Sequence, residues 1–207
     1  MIGFYNYTVL LTYLGFGFAC CGIYSAVSEH QSFALLMLML AGLCDMFDGK
    51  IAKTRVRTPA EQRFGIQIDS LSDLVCFGLL PAVIGYSVGL KKPYHFVLLV
   101  FFTLAALIRL AYFNVMEEER QSKTTERRRE YEGLPVTSVS LIFPLLYSFR
   151  RDIGDCFPAV YGGVMLLVSL AFITKIRVRK PGMRVMLCFI LIGALELAWL
   201  IYKGRVH

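Results

Sequence analysis

The sequence is poor in charged residues, which make up 18% of its 207 residues, whereas soluble domains carry about 25%. Hydrophobic residues account for 57% of the chain. They are gathered into runs of roughly 15 to 22 residues, long enough as helices to cross a hydrocarbon core of about 30 Å. These features exclude a soluble enzyme and a disordered regulator. They predict an all-α polytopic membrane protein in the lipid bilayer.

Basic residues are absent before Lys50, although the net charge is +7. Most Lys and Arg residues lie in three short hydrophilic segments between apolar runs, at about residues 51–65, 116–133 and 175–182. Such a distribution is typical of cytoplasmic loops beside anionic lipid headgroups, and it argues against nucleic acid as a partner. The six cysteines form no CxxC pair, and the five that lie in or at the edge of apolar runs are interpreted as small hydrophobic residues.

The apolar runs predict a single domain, residues 1–207, with a six-helix transmembrane core and a seventh C-terminal span. The N-terminus and the three basic loops would share the cytoplasmic face of the cell membrane. The predicted spans are about residues 8–28, 33–50, 66–90, 94–115, 134–149, 157–174 and 183–202.

Four aspartates lie near the cytoplasmic ends of the second and third predicted spans. Asp45 and Asp48 are i,i+3 neighbours, whereas Asp69 and Asp73 are i,i+4 neighbours, so each pair shares a helical face. Four carboxylates at one site cannot all stay ionised without protons or cations, since burial and like-charge repulsion oppose it. A cluster of oxygen ligands without histidine favours hard divalent cations such as Mg²⁺ or Mn²⁺.

Two such ions would balance the four negative charges, and two-metal sites stabilise phosphoryl displacement. Gly49 would let a ligand approach the backbone, and Lys53 and Arg55 could supply positive charge to a phosphate. Solvated acids at the ends of helices are the alternative interpretation. A cation transporter is a further alternative, although transport sites typically lie near the bilayer midplane.

The spacing of these residues resembles the signature of the CDP-alcohol phosphatidyltransferase family. The signature reads D-x2-D-G-x2-A-R-x8-G-x3-D-x3-D, and this sequence has Asp45-x2-Asp48-Gly49-x2-Ala52 followed by Gly65-x3-Asp69-x3-Asp73. There are two departures: Lys53 stands in place of the arginine, and the stretch to Gly65 is three residues longer. Either Lys53 or Arg55 would then replace that arginine at the nucleotide phosphates.

Three further stretches resemble the phosphatidylserine synthase branch of the family. They are Asp69 to Ala82, Arg109-Leu110-Ala111-Tyr112-Phe113-Asn114 and Gly133-Leu134-Pro135. The resemblance covers about residues 5–175, which would form the family core, and leaves the span at about 183–202 peripheral.

The resemblance implies a homodimer that transfers a phosphatidyl group from CDP-diacylglycerol to an alcohol, here L-serine, and releases CMP. Asp45, Asp48, Asp69 and Asp73 would bind metal, and Asp73 would also act as the catalytic base. The nucleotide and pyrophosphate would lie against Gly49, Ala52, Lys53, Arg55 and Gly65.

Two residues of the fourth predicted span are weaker candidates for substrate binding. Arg109 would bind a substrate phosphate or carboxylate, or instead pair with an acid. Asn114 would bind substrate or bridge two helices. Glycerol 3-phosphate and inositol phosphate are the alternative acceptors. A phosphorylated acceptor should need more cationic residues in the cavity, and Arg109 is the one cation placed clearly within a span.

Overall fold

The computed structural model describes residues 3–4, 6–123, 130–175 and 177–179, which form a bundle of six principal helices. The six helices are α1 (Leu10–Val27), α2 (Gln31–Ile51), α3 (Pro59–Ser87), α4 (Pro93–Lys123), α5 (Val139–Ser148) and α6 (Phe157–Ile173). Short helical turns occupy Tyr7–Val9, Ala52–Thr54, Val136–Ser138, Arg150–Ile153 and Gly154–Cys156. Strands β1 (Glu130–Glu132) and β2 (Arg177–Arg179) pair antiparallel, with Glu130 opposite Arg179.

Five helical stretches are long and apolar enough to cross a membrane, and Val136–Ser148 is a shorter apolar helix. The chain is therefore a multi-pass membrane protein. The predicted helical bundle with six helices is confirmed, with one two-stranded ribbon added. The predicted seventh span at about 183–202 lies outside the described residues.

Helix α3 begins at Pro59, seven residues before the predicted span at about 66–90. Thr58 and Glu61 form a capping box: the Thr58 hydroxyl accepts from the Glu61 N–H at 3.2 Å, and the Glu61 carboxylate accepts from the Thr58 N–H at 2.8 Å. Pro59 occupies the first turn, where its missing N–H costs nothing. Much of the predicted loop 51–65 is consequently helical.

Helix α4 also extends beyond its predicted end at residue 115 and reaches Lys123. The predicted loop 116–133 thus begins with two further helical turns. Residues 117–123 are mostly Glu, Arg, Gln and Lys, which are good helix formers, so the loss of hydrophobicity does not end the helix.

Aromatic residues fill the centre of the bundle. The rings of Phe143 and Tyr161 stack with centroids 4.8 Å apart, and Phe102 contacts Phe143 edge-to-face at 5.8 Å. The buried Tyr161 hydroxyl donates to the Pro81 carbonyl at 3.2 Å, so its polar atom is satisfied. These contacts join α3, α4, α5 and α6.

Helix α3 changes its winding directly after Asp73. Residues Leu74–Leu79 form a π-helical segment, in which the Leu80 N–H donates to the Val75 carbonyl. The Thr103 hydroxyl from α4 donates to the Gly78 carbonyl at 3.3 Å. Such π segments often occur at functional sites, because they turn the helical face by a fraction of a turn.

Candidate metal centre

The last turns of α2 and the middle of α3 bring the aspartates of the two helices together. One carboxylate oxygen from each of Asp45, Asp48 and Asp69 lies within 4.8 Å of the other two. Carboxylates this close together repel one another unless a proton or a cation lies between them.

Asp69 carries the observation that favours a cation. Its Oδ1 atom is buried and has no hydrogen-bond partner among the described residues. Unsatisfied buried oxygens are costly, above all in a membrane protein, and each calls for an explanation such as a missing ion. The donor set of three carboxylates fits Mg²⁺ or Mn²⁺.

Asp73 lines the same small cavity as the other three aspartates. It lies one helical turn further along α3 than Asp69 and is not one of the three residues whose oxygens converge. The structure thus brings all four predicted aspartates to one cavity, with three gathered closely and Asp73 beside them.

Ser72 and Cys76 fix the wall of this cavity against α1. The buried Ser72 hydroxyl donates to the Thr12 carbonyl at 3.3 Å, and the Cys76 thiol donates to the Gly15 carbonyl at 3.5 Å. The face of α3 that carries Asp69 and Asp73 is therefore held to its neighbour by hydrogen bonds on both sides of Asp73.

Three of the predicted nucleotide-binding residues, Gly49, Ala52 and Lys53, lie at or just after the C-terminal end of α2, beyond Asp48. A Cβ atom added at Gly49 would have no neighbour within 4 Å, so the backbone there is open to a ligand. Ala52 and Lys53 lie in the short turn Ala52–Thr54 that follows α2. The side chain of Lys53 lies outside the described part of the structure.

Arg55 is tied to the start of α3. Its guanidinium lies 3.6 Å from Glu61 Oε1, and the Asn6 amide donates to the same oxygen at 3.4 Å. Glu61 also completes the capping box with Thr58. Arg55 thus belongs to a network that fixes the N-terminal segment to the loop between α2 and α3.

Arg109 is buried, with 7% of its surface exposed. Its guanidinium donates through Nε to the Leu134 carbonyl and through Nη2 to the Gly133 carbonyl, the latter at 3.3 Å. Arg109 therefore clamps the chain entering α5, next to Pro135, which has no N–H. Its role in substrate binding stays a prediction.

Asn114 bridges two helices. Its side-chain amide donates to the Ser70 hydroxyl at 2.8 Å, and the Ser70 hydroxyl lies 3.1 Å from Asn114 Oδ1. Ser70 follows Asp69 directly, so the contact fixes α4 beside the cluster. Substrate binding by Asn114 also stays a prediction.

The chain as far as residue 174 is similar to one known protein family. Residues 5–174 match the CDP-alcohol phosphatidyltransferase family. The chain belongs to this family. The match includes the carboxylate cluster, which is consistent with a metal site typical of the family.

Three curated relatives carry serine in their names. The CDP-diacylglycerol–serine O-phosphatidyltransferase of Saccharomyces cerevisiae is 36% identical over 144 residues, 64% of this chain and 51% of that protein. The enzyme of the same name from Bacillus subtilis is 29% identical over 160 residues, covering 73% and 83%. The archaetidylserine synthase of Methanothermobacter thermautotrophicus is 28% identical over 166 residues, covering 79% and 67%. The match thus spans about half the length of the yeast relative.

Arg57 was not among the site residues that the sequence analysis predicted. Its guanidinium approaches Gly65, where a Cβ atom would lie 3.0 Å from Nη1. The one sequence feature that could have pointed to Arg57 is the three-residue extension between Lys53 and Gly65, which makes room for a second arginine after Arg55. The sequence showed the insertion, but it did not show which arginine turns towards the glycine.

Proposed function

We propose that the protein transfers the phosphatidyl group of CDP-diacylglycerol to L-serine, giving phosphatidylserine and CMP. The observation that carries the proposal is the convergence of Asp45, Asp48 and Asp69, with an unsatisfied oxygen, where the last turns of α2 meet the middle of α3. A site there would meet a substrate whose acyl tails lie in lipid and whose nucleotide lies in water.

The relatives favour serine as the acceptor, because all those reported have serine in their names. The described residues that line the small cavity of the four aspartates include no lysine or arginine. A phosphorylated acceptor such as glycerol 3-phosphate or inositol phosphate would therefore need cationic residues from outside that cavity.

Asp45, Asp48 and Asp69 would hold the divalent metal, with Asp73 completing the set for a second ion. The metal would neutralise the negative charge that develops on the departing CMP. By holding the metal, the three gathered carboxylates would also fix the position of the diphosphate, with its phosphatidyl phosphorus near Asp73.

Asp73 would take the proton of the serine hydroxyl as the reaction proceeds. The serine oxygen forms a bond to the phosphatidyl phosphorus while the bond from that phosphorus to the bridging oxygen breaks, and CMP leaves with the bonding electrons. A carboxylate within hydrogen-bond reach of the hydroxyl accelerates such attack. The position of Asp73 on the cavity wall, outside the closest trio, supports this second role.

The proposal includes the orientation of the protein in the membrane and its oligomeric state. The basic segments would place the carboxylate cluster at the cytoplasmic face of the cell membrane, and the protein would act as a homodimer.

CMP release from CDP-diacylglycerol by the purified protein in liposomes tests the function. With Mg²⁺ or Mn²⁺, release should require L-serine, stop on addition of EDTA and yield a serine-containing lipid. Asp73→Asn should abolish turnover and retain CDP-diacylglycerol binding, whereas Asp155→Asn, at an exposed site, should keep normal turnover.

Two results would change the conclusion. Release with glycerol 3-phosphate or inositol phosphate, and not with serine, would overturn the acceptor and keep the carboxylate mechanism. No release with any alcohol, from folded protein that binds metal, would overturn the transferase activity and favour cation transport.

A further inference from the structure

The loop between α2 and α3 contains two arginines with different surroundings. Arg55 is exposed and lies beside Glu61, which already caps α3. Arg57 is half-buried, and no described acidic side chain lies within ion-pair distance of it. The positive charge of Arg57 is thus not committed to a carboxylate of the described structure.

The backbone of Arg57 is held in place by the following helix. The Gln62 side-chain amide donates to the Arg57 carbonyl at 3.2 Å, and the capping box of Thr58 and Glu61 fixes the next residues. The side chain therefore starts from a fixed point and turns towards α3.

The guanidinium reaches α3 at Gly65, where the absence of a side chain leaves room for it. An alanine Cβ there would lie 3.0 Å from Nη1, tighter than an ordinary contact, so the guanidinium would have to move by a few tenths of an ångström. Gly65 lies four residues before Asp69, on the same face of the helix. Arg57 thus places a positive charge about one helical turn from the carboxylate cluster, towards the N-terminal end of α3.

We propose that Arg57 binds the diphosphate of CDP-diacylglycerol, in place of the arginine that the family pattern has at Lys53, and that Gly65 provides the space for its guanidinium. This inference rests on the proposed function. A guanidinium suits the role because its planar fork can donate two hydrogen bonds to phosphate oxygens.

The proposal gives Arg55 a structural role and Arg57 a role in substrate binding. Arg55 steadies the loop through Glu61, so its removal should act on the stability of that segment. Arg57 contacts the substrate, so its removal should act on affinity for the diphosphate and leave the fold intact.

Binding of CDP to the purified protein in detergent with Mg²⁺, measured by titration calorimetry, tests the division directly. Arg57→Ala should raise the Kd about ten- to a hundredfold, the range for loss of hydrogen bonds to a charged group. Arg57→Lys should recover part of that loss, since the charge remains but the fork is gone. Arg63→Ala is the matched control, because it removes one exposed arginine from the same segment and should bind CDP as the wild type does.

Kinetics and a double-mutant cycle supply the second readout. Arg57→Ala should raise the KM for CDP-diacylglycerol and leave the KM for serine unchanged. Gly65→Ala should weaken CDP binding in the wild-type background and add little in the Arg57→Ala background, because both changes act through one contact. Fully additive effects would mean that Gly65 acts without Arg57, and would overturn its role as a spacer.

The inference and the proposed function fail in different ways. Unchanged CDP affinity in folded Arg57→Ala, or a loss in Arg55→Ala with none in Arg57→Ala, would overturn the assignment of Arg57 even if serine-dependent turnover is intact. CDP binding that depends on Arg57, without turnover of serine, would support Arg57 and overturn the acceptor. A wild-type protein that binds no CDP would overturn both.

Discussion

Gly42 is the position where a single methyl group should disturb the carboxylate cluster of Asp45, Asp48 and Asp69 from outside it. The residue lies on α2, three residues before Asp45, and faces α5. A Cβ atom added there would lie 2.6 Å from the Ser140 Cβ and closer still to its hydroxyl. Because the Ser140 Cβ is bonded to the backbone and cannot rotate away, Gly42→Ala forces α2 and α5 apart.

The size of the effect follows from the geometry. Ordinary contact begins at about 3.4 Å, so the helices must separate by most of an ångström or the backbone must bend. Overpacking of this kind costs about 1–3 kcal/mol. Since Asp45 lies one turn away on the same helix, a shift of that size also moves one of the three converging carboxylates.

Thermal unfolding in detergent and CMP release measure the two consequences. Gly42→Ala should lower the melting temperature by roughly 3–10 °C and reduce turnover. Gly163→Ala, where a Cβ atom meets nothing within 4 Å, is the matched control and should change neither. Adding Ser140→Gly to Gly42→Ala should restore turnover, although a helical glycine itself costs about 1 kcal/mol. Unimpaired turnover and stability in Gly42→Ala would refute the packing argument.

Two further predictions concern the site itself. Asp69→Asn should raise the Mg²⁺ concentration for half-maximal CMP release by at least about tenfold, because even residues that only hydrogen-bond to a metal ligand change metal affinity by that factor. Mg²⁺ should also raise the melting temperature of the wild type more than that of this variant. Equal metal dependence in both proteins would exclude Asp69 as a ligand. Arg109→Ala should lower stability by about 3 kcal/mol through the lost bonds to Gly133 and Leu134, as judged by denaturation. Intact stability with a raised serine KM would instead identify Arg109 as a substrate-binding residue.

The sequence predicted most of the helices and the aspartates because both depend on local patterns. Long apolar runs give the spans, and the i,i+3 and i,i+4 spacings give Asp45, Asp48, Asp69 and Asp73 their shared faces. The start of α3 was missed because its first turns are polar and lie outside the apolar run. The capping residues Thr58, Pro59 and Glu61 are a local signal that hydropathy does not detect.

The environments of the arginines could not be predicted in the same way. Arg55 and Arg57 are two residues apart, and both are plausible replacements for a missing arginine. Only the fold shows that one meets Glu61 and the other Gly65. Arg109 likewise required tertiary structure, because its partners are backbone carbonyls about 25 residues away in the chain, in a segment that sequence patterns assign no polar role.

Polar side chains within the spans fall into two groups, and the difference indicates where a ligand belongs. Hydroxyls such as those of Ser25 and Ser169 donate to the carbonyl one turn earlier, at 2.7 Å in both cases, and so satisfy themselves inside their own helices. Among the described residues, Asp69 Oδ1 is the buried side-chain oxygen that no protein group satisfies. An unsatisfied polar atom is costly where water is scarce. Since the buried serine hydroxyls are satisfied within their own helices, the unsatisfied Asp69 Oδ1 indicates a partner other than protein. A cation bound beside Asp45 and Asp48 would supply that compensation, and the cost of leaving the oxygen unsatisfied would then favour metal binding.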